Sequence, residues 1–405
     1  MSDTRPARAP FLVALGLLFG LALHAPAAPV FAQAPSATLS PPTETQAYIP
    51  HLCSDGGAPE APAEHAEIAY AAAYATQSIG LHEVALHTAR LTTHVGAPDV
   101  PLLTDLIPAI GQDASDLAWS PDGEHLAFAM ISGDAPLVSD LYARRLADGA
   151  TLRLTSGPEF EQWPVYAPGG EEIAYVEVRG ETRRLMAVDA AAGAAPRHIA
   201  ATEHPMAPAW SPDGEWIAYV DAEHLDGDLY VVRSTGGDPV RVAEHVAIQR
   251  PAWSPDGRML AYAGEPPEER HVLIDPAGGV GLDLVAVPGA DPAWSPMGEW
   301  LAYAVIVGEA PGIWVVRPDG SGERQVTRPC TDLDQECLDD QPAWSPDGRY
   351  VAFRRTTEPA TYIGPQRRPP EAAIMVTAWA SSSEWRVSHE EIDVATRPLW
   401  RPPRP

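Results

Sequence analysis

One thirteen-residue pattern constrains this chain more than any other feature. The stretch "PAWSPDGEWIAYV" (208–220) has near-copies whose aromatic anchor falls at Trp119, Tyr166, Trp210, Trp253, Trp294 and Trp344. Successive anchors lie 41 to 50 residues apart, and an alanine follows each of them eight residues later: Ala127, Ala174, Ala218, Ala261, Ala302 and Ala352. A fixed period of this kind is one supersecondary unit repeated, and each unit buries its apolar surface only by stacking on its neighbours. A period in the forties made of short strands has the size of one four-stranded propeller blade. The expected class is therefore all-β.

The residues inside the pattern explain the local structure. In Ser211-Pro212-Asp213-Gly214, proline presets φ, aspartate tolerates the following turn position, and glycine takes the positive φ at which the chain reverses. The flanks "AW" and "WIAYV" are β-rich and too short for a helix. Alternation along the second flank puts Ile217 and Tyr219 on one face and Ala218 on the other. A recurring alanine there suits a close approach between sheets.

Trp-Ser-Pro-Asp-Gly followed by aliphatic-Ala-aromatic resembles the WD40-like repeat of the TolB-type β-propellers, over roughly residues 65–405. The resemblance implies a third strand, found at "DLYVVRS" (228–234) and "GIWVVRPDG" (312–320), and a fourth ending in Leu-Thr, found at "TLRLTSG" (151–157). "RQVTRP" (324–329) is a further fourth strand of the same kind. Departures are visible too: "YAPGG" (166–170), Met297 in place of Asp, and an irregular second half in the fourth copy. At the start, Ile68-Ala69-Tyr70 supplies a second strand without a first; at the end, "PLWRPP" (398–403) is a first strand with nothing after it. Trp400 is then expected to complete the blade begun at Ala69, which makes seven blades. The alternative is six blades with 65–112 as a separate cap. The Ala-rich pieces 67–77 and 184–195 read as helix on propensity alone; the repeat register makes them strands.

Ahead of the propeller, Arg5 and Arg8 precede the apolar run "FLVALGLLFGLAL" (11–23) and then small residues, the pattern of an export signal over 1–32. The run is thirteen residues long, against the roughly 20 that span a bilayer as a helix. No membrane span is expected once the signal is cleaved. Residues 33–64, rich in Pro and Ala, read as a flexible tether. Such a tether does not accommodate the α/β domain that precedes the propeller in the TolB protein, so that protein's partners do not carry over. Export fits the cysteines: Cys330 and Cys337 bracket "TDLDQE" and are expected to pair in an oxidising compartment, which removes ~2.5 kcal/mol of unfolded-state entropy on the chain model. Cys53 is left over, free or paired between molecules.

Function is less legible. The balance of 27 Lys+Arg against 55 Asp+Glu, a net charge of −28, repels phosphate backbones and excludes nucleic acid as a partner. No G-x-S-x-G occurs, and "SPDGEW" is not a sialidase box, so neither hydrolase class is supported. In "HEVALH", His82 and His87 are five apart on an expected strand, not the four of a helical zinc motif. His204 and His245, read as lying just before first strands, could face one end of the ring. The loop "CTDLDQECLDDQPAW" (330–344) carries Asp332, Asp334, Glu336, Asp339 and Asp340; the first three are weak candidates for Ca²⁺, although the loop lacks the glycine and terminal Glu of an EF-hand. An insertion at 356–376 offers Tyr362, Arg367 and Arg368, which with Asp339 and Asp340 form an expected binding rim. No catalytic residue and no required cofactor is expected. The preferred reading is an exported, monomeric, non-enzymatic scaffold binding a protein or cell-envelope component. The alternative is a channel-centred, metal-assisted lyase or hydrolase acting on a carbohydrate.

Overall fold

The structure, a computed structural model, describes residues 66–75, 82–91, 109–110, 117–131, 138–191, 193–200, 202–223, 226–264, 271–274, 282–306, 310–327, 335–359, 371–380, 383–388, 393–394 and 397–403. Every regular element among them is a strand. The third copy shows the unit in its simplest form. Pro205–Trp210, Trp216–Asp221, Asp226–Arg233 and Val240–Ala247 pair in order, each antiparallel to the last. The fold is a β-propeller of such units.

The turn chemistry explains the first hairpin. Ser211 Oγ donates to Asp213 Oδ1 at 2.5 Å and accepts from the Trp216 amide at 2.9 Å, while Asp213 Oδ1 also accepts from the Glu215 amide at 2.9 Å. Gly214, at φ 74°, closes the reversal. The Ser–Asp pair recurs at 120/122, 254/256 and 345/347. Hydrogen bonds from the serine hydroxyls hold the Asp122 and Asp256 carboxyls below their ordinary pKa. Where Met297 replaces the aspartate, Ser295 still accepts from Trp300, and the methionine side chain, 81% exposed, does nothing for the turn.

Each strand after the turn is buried on both faces, and each face serves a different neighbour. Ala218 packs with Leu260 and Tyr262 of the next copy, while Ile217 and Tyr219 pack with Ala174 of the preceding one. The same exchange links Ala127 to Ile173 and Tyr175, Ala261 to Leu301 and Tyr303, and Ala302 to Val351 and Phe353. It then returns to the start: Ala352 meets Ile68 and Tyr70, and Ala69 meets Leu126 and Phe128. All seven alanines have no exposed surface, because any larger side chain would push two sheets apart.

The first and last strands of the described residues share a sheet, as the motif spacing predicts. Leu399–Trp400 pairs antiparallel with Ala66–Ala75, setting Trp400 opposite Ile68 and Leu399 opposite Ala69. The strands at 67–77 and 184–195 also follow the repeat register: Ala66–Ala75 and Thr182–Asp189. Two features lay beyond reach of the pattern. The first two full copies share one eight-stranded sheet through a single parallel pair, Ser139 with Phe160. The irregular fourth copy inserts Leu282–Val287 parallel to Met259–Ala263 and leaves His271–Ile274 at the edge.

The tryptophans have a role that hydrophobicity alone does not suggest. Each indole N–H donates to the carbonyl just before the anchor of the preceding copy: Trp210 to Val165, Trp253 to Ala209, Trp294 to Ala252 and Trp344 to Ala293, at 2.8 to 3.2 Å. Trp400 to Ala343 and Trp119 to Leu399 carry the series across the chain ends, at 2.9 and 3.0 Å. Tyr166 has no indole to give. Trp210→Phe keeps most of the apolar contact and leaves the half-buried Val165 carbonyl without its indole donor, so it should cost about 1 kcal/mol in a urea melt. Tyr166→Phe, with no such link to lose, serves as the comparison.

Candidate functional site

Three residues before the anchor, the first strands break regularity. Trp163, Ala207, Asp291 and Gln341 stand there with φ of 50° to 54°, and the register shifts across each. Each precedes a proline in the sequence. Left-handed backbone at such residues costs of order 1–3 kcal/mol apiece, so four instances at one structural position mark a place where the fold spends stability on direction. A bulge of this kind re-aims one side chain while the rest of the strand stays paired.

Four first strands converge on a cavity of about 310 Å³. Pro292, Pro342, Trp344 and Trp400 supply apolar wall, and Arg250 and Arg397 both line it. Arg397 Nη2 lies 3.6 Å from Asp291 Oδ1, with both side chains more than four-fifths buried. The backbone N–H of Asp291 donates to Gln249 Oε1 at 2.6 Å. Arg250 has its Nε and Nη2 buried, and the buried Gln341 Oε1 has no hydrogen-bond partner among the described residues. Two guanidiniums, with the Asp291 carboxylate beside Arg397, are thus the charged groups seen at this cavity among the described residues. None of Arg250, Asp291, Gln341 and Arg397 stands out by residue type. The signal was positional: they occupy the one variable place before an otherwise constant Pro-Ala-Trp or Pro-Leu-Trp.

The expected rim is placed differently. Asp339 and Asp340 belong to the strand Gln335–Trp344 and are 4% and 6% exposed, which corrects their assignment to an open acidic loop. Asp340 is gripped by Arg354 through two bonds of 2.6 and 2.8 Å. Asp339 is held likewise by Arg355, which also reaches Glu384 at 2.9 Å. Burial works against the charge of Arg355, but Asp339 and Glu384 outweigh it and raise its pKa. Such a strand-to-strand network consumes the carboxylates that the loop reading had offered to a ligand. Cys337 and Glu336 lie in the same strand, opposite Thr357 and Glu358. The insertion after Ala352 is a real hairpin, but its strands run to Pro359 and resume at Glu371. Cys330, Asp332, Asp334, Tyr362, Arg367 and Arg368 lie outside the described residues, as do residues 1–65.

The histidines singled out in the sequence fall in different elements. His82 and His87 lie in the strand His82–Leu91. His204 stands just before a first strand, where its carbonyl accepts from the Ala222 amide. His245 lies instead in the outer strand Val240–Ala247, correcting the expectation that it precedes a first strand. Among the described residues no group of three or more His, Cys, Asp or Glu is placed to hold a metal ion. No helix among them is long and apolar enough to cross a membrane.

The architecture defines a class first: a repeat propeller with its first and last described strands in one sheet. Residues 111–272 match the family described as the TolB beta propeller domain, PD40, so the TolB-type resemblance of the motif holds across the central copies. A dipeptidyl-peptidase 5 from Porphyromonas gingivalis is 28% identical over 89 residues, 19% of this chain and only 13% of that protein's length. Among solved structures, a puromycin hydrolase has a TM-score of 0.52 at 16% identity, covering 82% of this chain and 54% of its own. A provisionally assigned 6-phosphogluconolactonase from Bacteroides fragilis also scores 0.52, at 13% identity, over 85% of this chain and 99% of its own. At such identities the likeness is one of fold.

Proposed function

We propose that this protein is an exported, seven-bladed propeller that works as a binding scaffold, without turnover and as a monomer, for a protein or cell-envelope component. The observation that carries the reading is the walled cavity where the first strands meet. Its walls are mainly proline, alanine and tryptophan with a few fixed polar groups, the composition of a recognition site. Closure supports the blade number, since the alanine-to-neighbour contacts run from Ala69 round to Ala352 and back to Ile68. Export rests on the leader at 1–32 and accords with a disulfide at Cys337, whose proposed partner is Cys330. The insertion carrying Tyr362, Arg367 and Arg368 is proposed as an outer contact. No metal is required for binding, and Ca²⁺ at Asp332, Asp334 and Glu336 is at most an accessory.

The test is capture from the envelope fraction of the source organism with tagged residues 33–405, crosslinking and mass spectrometry. One dominant partner is expected, reduced at least tenfold when residues 360–370 are deleted. Absence of any saturable partner would remove the scaffold reading. The match to a dipeptidyl-peptidase favours a second reading, an enzyme, either as one module of a hydrolase or as a metal-assisted lyase or hydrolase acting on a carbohydrate. Turnover of polysaccharide by the pure protein, abolished by a chelator, would establish the carbohydrate form of it.

A further inference from the structure

We infer that the turn end of the fifth and sixth copies is a docking surface for an acidic segment of a partner protein that also presents an apolar side chain. This rests on the scaffold reading and names where on the ring, and by what chemistry, a partner is held. Met297 stands in its turn where other copies carry Asp122, Asp213, Asp256 and Asp347. At 81% it is the most exposed large apolar side chain among the described residues. A single exposed methionine means little alone, and its neighbours are what distinguish it. The turn of the fifth copy abuts that of the sixth, where a Cβ on Gly348 would lie 3.7 Å from Pro296 Cδ. Trp379 donates its indole N–H to the Gly348 carbonyl at 2.8 Å. Trp300, whose amide donates to Ser295 Oγ at 3.0 Å, has its ring centroid 5.3 Å from that of Trp379. One exposed methionine and two partly buried indoles thus gather at one joint.

Two arginines complete the surface. The Arg317 guanidinium lies 4.4 Å over the Trp300 ring and that of Arg324 lies 4.9 Å over Trp379. Gly322, at φ 68°, makes room for the first stack, since a Cβ there would come within 3.1 Å of Arg317 Nη1. The third copy has the same stack, with Arg233 4.0 Å over Trp216, but there Glu215 takes the guanidinium at 2.7 Å. In the fifth copy Glu299 holds the place of Glu215 and makes no such pair with Arg317. Glu323 accepts from the Tyr303 hydroxyl at 2.6 Å instead of from either arginine. Among the described residues neither Arg317 nor Arg324 has an ion-pair partner. Stacking on an indole fixes the guanidinium plane and leaves its N–H edge to a carboxylate. Methionine, tryptophan and arginine are the types enriched at protein interfaces, and unpaired guanidiniums select a partner of opposite charge.

The experiment is calorimetric titration of the full chain with the peptide acetyl-Glu-Leu-Glu-Phe-Glu-amide and with its Gln-Leu-Gln-Phe-Gln counterpart. The acidic peptide should bind at least about tenfold tighter, by a margin that shrinks as salt is added. Arg317→Gln and Arg324→Gln should each weaken it several-fold. Met297→Asp restores the turn residue of the other copies, so the urea midpoint should hold or rise. Its new carboxylate at this joint should nonetheless weaken the acidic peptide at least about tenfold. Loss of binding without loss of stability is an effect that misfolding does not imitate. Equal binding of the two peptides, no binding of either, or unchanged affinity in Met297→Asp would each overturn the inference. Those results would leave the scaffold reading to the capture experiment, where a partner retained by Met297→Asp binds elsewhere on the ring.

Discussion

A chain ending at residue 396 should lose most of its resistance to denaturant. Seven residues beyond that point are described, and they close the propeller through several links at once. They supply the strand opposite Ile68 and Ala69, the indole of Trp400 for Ala343, and the carbonyl of Leu399 for Trp119. Arg401 adds a buried pair, its Nη1 at 2.5 Å from Glu67 Oε2, with Glu67 only 3% exposed. The same guanidinium donates from Nε to the Gly123 carbonyl at 2.7 Å, so it ties the first strand of one blade to the turn of the next. Removing one partner of a buried pair costs about 3–5 kcal/mol. A whole domain holds only about 5–15 kcal/mol, so the truncated chain is expected to be largely unfolded. Arg401→Met isolates the ionic part: it should lower the urea midpoint markedly, and adding Glu67→Gln should restore much of the loss. A truncated chain that melts at the same midpoint would show that the chain ends do not close the ring.

Raising the pH from about 4.5 to about 8 should weaken the protein through Glu161. This carboxyl is 5% exposed and its pKa is pushed up to about 8, first by burial and then by the neighbouring charge of Asp140. A hydrogen bond with Thr155 and another from the Leu141 amide pull the other way but do not cancel the burial. Protonated Glu161 is the form the folded state prefers. In the unfolded chain the group ionises near the ordinary glutamate value of 4.5. Between there and about 8 the unfolded state holds fewer protons, so stability falls as pH rises, by at most about 1.4 kcal/mol per pH unit. Above about 8 this loss levels off. Glu161→Gln imitates the neutral acid and should be clearly more stable than the parent at pH 8, with little difference at pH 4. Equal pH slopes for the two proteins would show that Glu161 ionises normally.

The repeats made the fold legible because each link in them is local. Ser-Pro-Asp-Gly fixes a turn, alternation fixes which residues face which neighbour, and the odd strands at Ile68 and Trp400 were expected to complete each other, as their pairing shows. What escaped the pattern depends on contacts between copies. At the fusion of two sheets at Ser139 and Phe160, a buried cluster of Ser139, Thr155 and Glu161 joins the copies, three residues no motif groups together. Asp339 and Asp340 looked available because their partners, Arg354 and Arg355, lie across a strand pair rather than nearby in sequence. The cavity was hidden for the opposite reason. Its arginines sit at a repeat position where the residue type changes from copy to copy, and a search for what recurs passes over what varies.

The indole links all point one way, each from a copy to the carbonyl just before the preceding anchor, and the two on either side of Trp400 match the rest in position and length. Six joints between copies thus share one bond, the exception being the joint at Tyr166, and the blade assembled from Ile68 and Trp400 is tied to both neighbours as the others are. Circular permutants that open the chain in a different hairpin and join the present ends by a short linker should keep every one of these bonds. The order of the copies along the gene is a matter of history; their order around the axis is what the chemistry holds.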